Sequence, residues 1–499
     1  MNKLLYRRQF ILSNNEISVD KEWKVIKLNK IKTGFKLYIH PDLPIFQSEN
    51  KDFEIILLGY ILNPYHASDS SSDILIDFAT ARNFDQITAR TNTLNGRFVI
   101  IYNDSISIKI FNDAHAFREV FYTNHNNIIA CGSTPNILAE FHNISKDEGK
   151  EINEFFTSLE LNREERIWLG TGTIFSHVKH LLPNHYISLL ENKVVRFWPV
   201  EKRQVLSLED AANRMARILE GTFDSAVRHF DMHQGLTSGW DTKLLLAACR
   251  KHTHKIHFYF NRGFKSDLGL SRSIDYETAS KISRDYDIPL EILETYDEDI
   301  DTDFEKIYYR NNLLARPKLL HVYFDSYKKG LDHTITVSGT SGNEILRLVS
   351  GINRKIKNSH KIAGLFGYQK YEYVVNEIQQ WLEDSLYLED LNYTLIDLFY
   401  WEQMFGNWGG LGGSEQDIAR EELRPFNNRE LISIYSSLKD SQRYKDYPAG
   451  HVYMIRLLWK ELLDYPMDIP HAGIKKALRL AGLEQFCDKI NSHFKQILH

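Results

Sequence analysis

The sequence predicts two domains: a strand-rich α+β half, then an α/β half built on a parallel sheet. Two contrasting patterns and one break between them carry this. Before residue 200 the apolar residues fall into strand-like runs with helices between. Phe98-Val99-Ile100-Ile101-Tyr102 is continuous, as in a strand buried on both faces. Ser107-Ile108-Lys109-Ile110-Phe111 alternates, and Asn103-Asp104 suits a turn between them. Beyond the break, strand-like and helix-like segments take turns. Lys255 to Phe260, Leu290 to Leu293 and Thr334 to Gly339 read as strands, and Tyr276 to Tyr286 as a helix. The break follows Phe197-Trp198-Pro199. Ser207-Leu208-Glu209-Asp210 then resembles a capping box, opening an amphipathic helix through Ala211 to about Ala226. The boundary falls between Trp198 and Ser207, giving domains of residues 1–200 and 205–499. From Val374 onward the pattern is mostly helical and rich in aromatics.

The 499 residues, 43% hydrophobic and 25% charged, suit a globular chain with ample cores. A net charge of -5 argues against the basic footprint of a nucleic-acid binder, and no apolar stretch reaches membrane-spanning length. Neither nucleic acid nor membrane is therefore expected as a partner. The start, Met1 to Phe10, has basic residues but no continuous apolar run, so no signal peptide is expected. Cys131, Cys249 and Cys487 stand apart, with neither zinc spacing nor a disulfide framework, and a reducing cytoplasm is the simplest setting. The flanks of Cys131 read as a buried strand end. His252, His254 and His257 cluster without the spacing of a zinc site. Asp297 to Asp303 lacks the glycine turn and terminal glutamate of a calcium loop.

Gly235-Leu236-Thr237-Ser238-Gly239-Trp240-Asp241-Thr242-Lys243-Leu244 places a tight Gly/Ser loop between a strand-like lead-in and strong helix formers. Such a loop gathers backbone N–H groups and the positive end of a helix dipole around one point, which suits phosphate. It lacks the ending of a Walker A loop and the third glycine of a dinucleotide fingerprint. It resembles the Ser-Gly-Gly-x-Asp-Ser loop of ATP pyrophosphatases, with Thr237 for serine and Ser238 for the first glycine. Further segments, in order, resemble the asparagine synthetase family. These are Leu94-Asn95-Gly96-Arg97-Phe98-Val99, Asn112-Asp113-Ala114, Val120-Phe121-Tyr122, Leu181 to Tyr186 and Arg196-Phe197-Trp198. Asp275 to Ala279, Ser338-Gly339-Thr340-Ser341-Gly342-Asn343-Glu344 and Glu421-Glu422-Leu423-Arg424-Pro425-Phe426 follow.

The resemblance implies an N-terminal Ntn-hydrolase-like αββα sandwich. It also implies a C-terminal doubly wound ATP-pyrophosphatase domain with a helical end and ATP at the C-terminal strand ends. Glutaminases of this family use an N-terminal cysteine exposed by removal of Met1. Here residue 2 is Asn2, and an amide is no nucleophile, so the first domain is expected not to hydrolyse glutamine. β-Lactam synthetases and lasso-peptide cyclases are similar in that loss. The second domain would carry out AMP-forming amide ligation: a small-molecule or peptide carboxylate attacks the α-phosphorus of ATP, and an amine then displaces AMP. The resemblance also leaves open a nucleotide-binding homologue without catalysis, and a homodimer.

Its implied site residues are specific. Leu236, Thr237, Ser238, Gly239, Asp241, Thr242, Ser338 and Gly339 would hold ATP and pyrophosphate, and Asp241 with Asn343 would ligate Mg²⁺. Asn343 stands where the family has aspartate, which removes one negative charge. Thr340 replaces the family's glutamate and is a poor general base. Glu344 would either act in the site or cap the helix start after it. The late phosphate lysine would be Lys460, or one of Lys475 and Lys476. Tyr400-Trp401 and Phe405 to Gly410 read as core packing or as a pocket wall.

Overall fold

The computed structural model describes residues 3–31, 34–161, 167–262, 270–294, 299–347, 352–443 and 447–466. Asn2, Asp297, Glu298, Lys475, Lys476 and Cys487 lie outside this set. Within the described end of the acidic run, Asp301 caps the helix Thr302–Asn311.

The first 200 residues form two six-stranded antiparallel sheets, counted among the described residues. The strands are β1 (Phe10–Ser13), β2 (Lys24–Lys27), β3 (Lys36–Ile39), β4 (Ile45–Glu49), β5 (Phe53–Leu62), β6 (Asn95–Asp104), β7 (Ile108–Asn112), β8 (Phe121–His125), β9 (Ile128–Gly132), β10 (Lys179–His180), β11 (His185–Ser188) and β12 (Lys193–Arg196). One sheet runs β10-β8-β9-β1-β3-β2 and the other β12-β11-β7-β6-β5-β4. The period of two along each strand sorts side chains between two cores. Ile56, Leu58, Val99 and Ile101 meet Phe10, Leu12, Leu37 and Ile39 of the facing sheet. Their neighbours Ile55, Leu57, Ile100 and Tyr102 turn outward onto Ile74, Leu75, Phe78, Phe84 and Ile87 of the helices Ser71–Ala79 and Phe84–Arg90. Strands covered on both faces read as continuous apolar runs, which explains Phe98 to Tyr102. The turn lies one step later than Asn103-Asp104. Both residues close β6, and the Asp104 carboxylate accepts the N–H groups of Ile106 and Ser107 to organise the reversal. Cys131 is buried in β9, within the core between the sheets.

The later part holds a five-stranded parallel sheet among the described residues, in the order β15-β14-β13-β16-β17. Its strands are β13 (Met232–Gly235), β14 (Ile256–Asn261), β15 (Leu290–Leu293), β16 (Ile335–Val337) and β17 (Glu421–Leu423). β17 interrupts the expected helical end. Three residues, two of them glutamates, give no strand-like period, and parallel pairing to β16 alone defines it. The entry helix runs Leu208–His229, with the Ser207 hydroxyl accepting the Asp210 N–H. Its length exceeds the apolar pattern because Arg228 and His229 finish the last turn.

Strand order reverses between β13 and β16. Successive strands are added on one side of β13 through β15, and then on the other. A crevice opens at such a switch point beyond the C-terminal strand ends. The loops after β13 and β16 are those of Leu236 to Gly239 and Ser338 to Gly342.

Buried charge joins the two parts. Arg97 of β6 pairs with Asp417 at 2.6 Å and with Glu421 of β17 at 2.5 Å, and Arg118 reaches Glu421 at 2.9 Å. Asn95 donates to the carbonyls of Arg424 and Pro425, and Asn427 donates to that of Gly96. The segment Glu421 to Phe426 thus stitches the sheets together. The helix Gly406–Gln416 lies against the sandwich through its glycines: a Cβ at Gly410 would stand 3.0 Å from the Ala116 carbonyl. Trp401 donates to the Ala114 carbonyl, and Tyr400, Trp401 and Phe405 are buried packing, while Trp408 is half-buried. Among the described residues, no helix is long and apolar enough to cross a membrane.

Candidate functional site

Gly239 caps the helix Trp240–Ala248 in an extended conformation, which places Asp241 in its first turn. Neither Ser238 nor Gly239 takes a positive φ, so Ser238 carries its Cβ without backbone strain. The strain sits in the other loop, where Ser341 has φ +84°. Gly342 is required by close approach: a Cβ there would fall 2.6 Å from Asp241 Cγ. Gly339 lies beneath the same side chain, its ideal Cβ 3.1 Å from Asp241 Cβ. The two loops therefore close on one carboxylate.

That carboxylate is already engaged. Arg347 Nη2 donates to Asp241 Oδ2 at 2.8 Å, and His451 Nε2 lies 2.9 Å from Oδ1. Burial alone would raise the Asp241 pKa, but Arg347 and His451 outweigh it and hold the group below the usual carboxylate range. Burial also lowers His451, which keeps the ring neutral. A neutral ring has one N–H. Facing a carboxylate it sits on Nε2, so Nδ1 accepts the Tyr435 hydroxyl at 2.8 Å. His451 arrives on the helix Ala449–Trp459, which packs against both Leu208–His229 and Trp240–Ala248.

The other loop groups are also paired. The Ser238 N–H and hydroxyl donate to Asp275 Oδ1, the former at 2.8 Å. Thr237 donates to Thr242 Oγ1 at 3.0 Å, and Gly239 N–H to Thr237 Oγ1 at 3.3 Å. Ser338 and Thr340 share a hydroxyl bond of 2.7 Å. Leu236 is buried, its N–H bonded to the Tyr259 carbonyl. Glu344 accepts the Ser341 N–H at 2.8 Å and so caps its own turn. Burial and then Asp241 raise its pKa against the pull of its backbone bonds. Lys243, two residues past Asp241, is fully buried and donates to the carbonyl of Tyr465 at 3.0 Å.

Lys460 is exposed where Ala449–Trp459 ends, and no described contact joins it to the loops. The cation the fold brings to the carboxylate is Arg347. Sequence reasoning missed Arg347, His451 and the bonding of Asp275. Arg347 lies three residues beyond Glu344 and was open to inspection; His451, 210 residues from Asp241, carried no signal.

Mg²⁺ makes a different demand on these donors. A hard cation needs several oxygens, preferably anionic. Asp241 is shared between a guanidinium and an imidazole N–H, Glu344 is bound to its own turn, and Asn343 offers one neutral, buried oxygen. Ligating Asp241 Oδ1 would also strip His451 of its acceptor, leaving a buried N–H at a cost of about 1–3 kcal/mol. The residues do not fit the cation.

A cavity of about 200 Å³ opens beside the loops, lined by Gly235, Thr237, Thr242, Tyr259, Ser338 and Arg420 among others. It lies at the switch point and gathers hydroxyls, an arginine and a helix N-terminus. A larger cavity, about 550 Å³, lies between the β10 and β12 edges and the helix Glu372–Ser385, lined by Tyr122, His180, His185 and Trp381. It contains none of the loop residues, and topology favours the smaller one for phosphate. His252 bonds to Asp224, and no group of three or more metal-ligating residues occurs among the described residues.

No known protein-family model matches the chain, and no curated protein matches it. Among solved structures it is similar to a glutamine phosphoribosylpyrophosphate amidotransferase from B. subtilis complexed with ADP and GMP. That likeness has 9% identity and a TM-score of 0.24, over 58% of this chain and 61% of that one. The chain thus spans less than two thirds of that protein. It is also similar to an NH3-dependent NAD synthetase from Campylobacter jejuni, at 14% identity and a TM-score of 0.19, over 38% of this chain and 85% of that one. Overlap this low carries no argument about function.

Proposed function

We propose that the protein binds an adenine nucleotide at the switch point of its parallel sheet and uses it for AMP-forming amide ligation. The observation that supports this is the convergence of two loops, from β13 and β16, on Asp241 beside a hydroxyl-lined cavity. A carboxylate substrate would attack the α-phosphorus, and charge would grow on the departing pyrophosphate. The Thr237, Thr242 and Ser338 hydroxyls and the start of the helix Trp240–Ala248 are the groups suited to meet it. An amine from outside the sandwich would complete the amide.

A second reading, binding without turnover, is favoured by one observation: both oxygens of Asp241 are engaged by Arg347 and His451. Pyrophosphate release from ATP over a panel of carboxylates separates the two. Ligation expects AMP formation that Asp241→Ala abolishes. Binding without AMP across the panel favours the second reading, and no nucleotide binding defeats both.

A further inference from the structure

We propose that Arg347 takes the electrostatic place of a divalent cation, so that nucleotide binding at the switch point needs no metal. This rests on the nucleotide reading above. Three observations carry it. First, Arg347 contacts the very carboxylate expected to ligate Mg²⁺, at 2.8 Å, and its side chain is 8% exposed against 17% for Asp241. A guanidinium there brings permanent positive charge and planar donors matched to carboxylate and phosphate oxygens. Second, its approach is built in. Arg347 Nε donates to the Gly342 carbonyl at 3.4 Å, so the loop that covers Asp241 also holds the arginine. Third, Asn343 is neutral and the Glu344 carboxylate accepts the Ser341 N–H of its own turn at 2.8 Å, so the loop offers a metal no free carboxylate beside Asp241.

The roles divide cleanly between the residues. His451, fixed through Tyr435, holds one Asp241 oxygen and leaves the other to Arg347. Asp241 thereby orients the guanidinium against the loop that follows β16. Arg347 is a binding residue in this scheme, and Asp241 and His451 are positioning residues.

The test is calorimetric titration of the full chain with ATP, in excess EDTA and in excess MgCl₂. Dissociation constants agreeing within about twofold are expected. Arg347→Met should weaken binding in EDTA about tenfold or more, and Arg347→Lys, which keeps the charge, should recover part of that loss. Arg347→Met combined with Asn343→Asp should bind more tightly with MgCl₂ than with EDTA. Circular dichroism confirms that each variant is folded, and the lysine variant serves if the methionine one is not. Binding only with MgCl₂, or unchanged affinity in a folded Arg347→Met, would overturn the proposal while leaving the nucleotide reading intact. No binding in either medium would overturn that reading, and this proposal with it.

Discussion

Two clusters of arginine and carboxylate, one in the seam between the two parts and one at the switch point, differ in closure. At the interface, Arg97 is 1% exposed and Asp417 4%, with Arg118 and Glu421 completing a ring of two cations and two anions. At the switch point Asp241 remains 17% exposed beside a cavity. β17 links the regions: Glu421 faces the interface arginines, while its neighbour Glu422 lines the cavity and pairs with Arg424 at 2.7 Å. Successive strand residues point to opposite faces, so one short strand serves both. The same chemistry is structural where it is sealed and available for binding where one side is open.

The largest effect is expected at the interface, where Arg97, Arg118 and Asp417 are sealed from solvent. Burial works against the Glu421 carboxylate, yet Arg97 and Arg118 outweigh it and hold it down to about 2. Arg97→Met leaves two buried carboxylates to share Arg118. Urea unfolding should show a loss of about 3–5 kcal/mol. A loss under about 1 kcal/mol would show the interface cluster to be no more structural than the open one.

Next comes the loop contact. Gly342→Ala drives a methyl group into the Asp241 carboxylate, displacing it from Arg347 and His451. ATP titration should show a loss of about tenfold or more, with a stability cost of about 1–3 kcal/mol. Undiminished affinity would separate the carboxylate from binding and break the comparison at its open end.

Much of this was legible in sequence, for physical reasons. Strands buried on both faces wrote Phe98 to Tyr102 as an unbroken apolar run, and the helix start at Ser207 announced itself through a local side-chain cap. The loops after β13 and β16 stood out by their glycines. β17 did not, because its pairing is long-range and its residues are charged. One partner of Asp241, His451, was hidden for the same reason. His451 meets it only because one helix crosses another, and periodicity records which face is buried, not what it will touch.

Lys243 sharpens the contrast with a buried cation satisfied by carbonyls. Burial pushes its ammonium down to about 7, against the pull of Asp275. The unfolded group titrates at its ordinary value of 10.5, so across pH 7 to 10.5 the unfolded chain binds more protons. Stability therefore rises with pH in that window, by up to about 1.4 kcal/mol per pH unit from this group, and the contribution is flat below it. Lys243→Met should remove that slope. Urea unfolding from about pH 7 to about pH 9.5 checks it, and equal slopes in both proteins would show that the burial is not felt.

The smallest effect belongs to Lys460, and its smallness is informative. It is exposed, and no described contact joins it to either loop, whereas Arg347 touches Asp241 directly. An exposed charge without a fixed partner contributes within about ±0.5 kcal/mol to stability, and a flexible lysine must give up side-chain freedom to hold any ligand. Lys460→Ala should leave urea unfolding within that margin and ATP affinity within about twofold. A tenfold loss of affinity would mean that Lys460 reaches the crevice when nucleotide binds. The open cluster would then close in use, and the distinction between the two clusters would hold only for the unliganded protein.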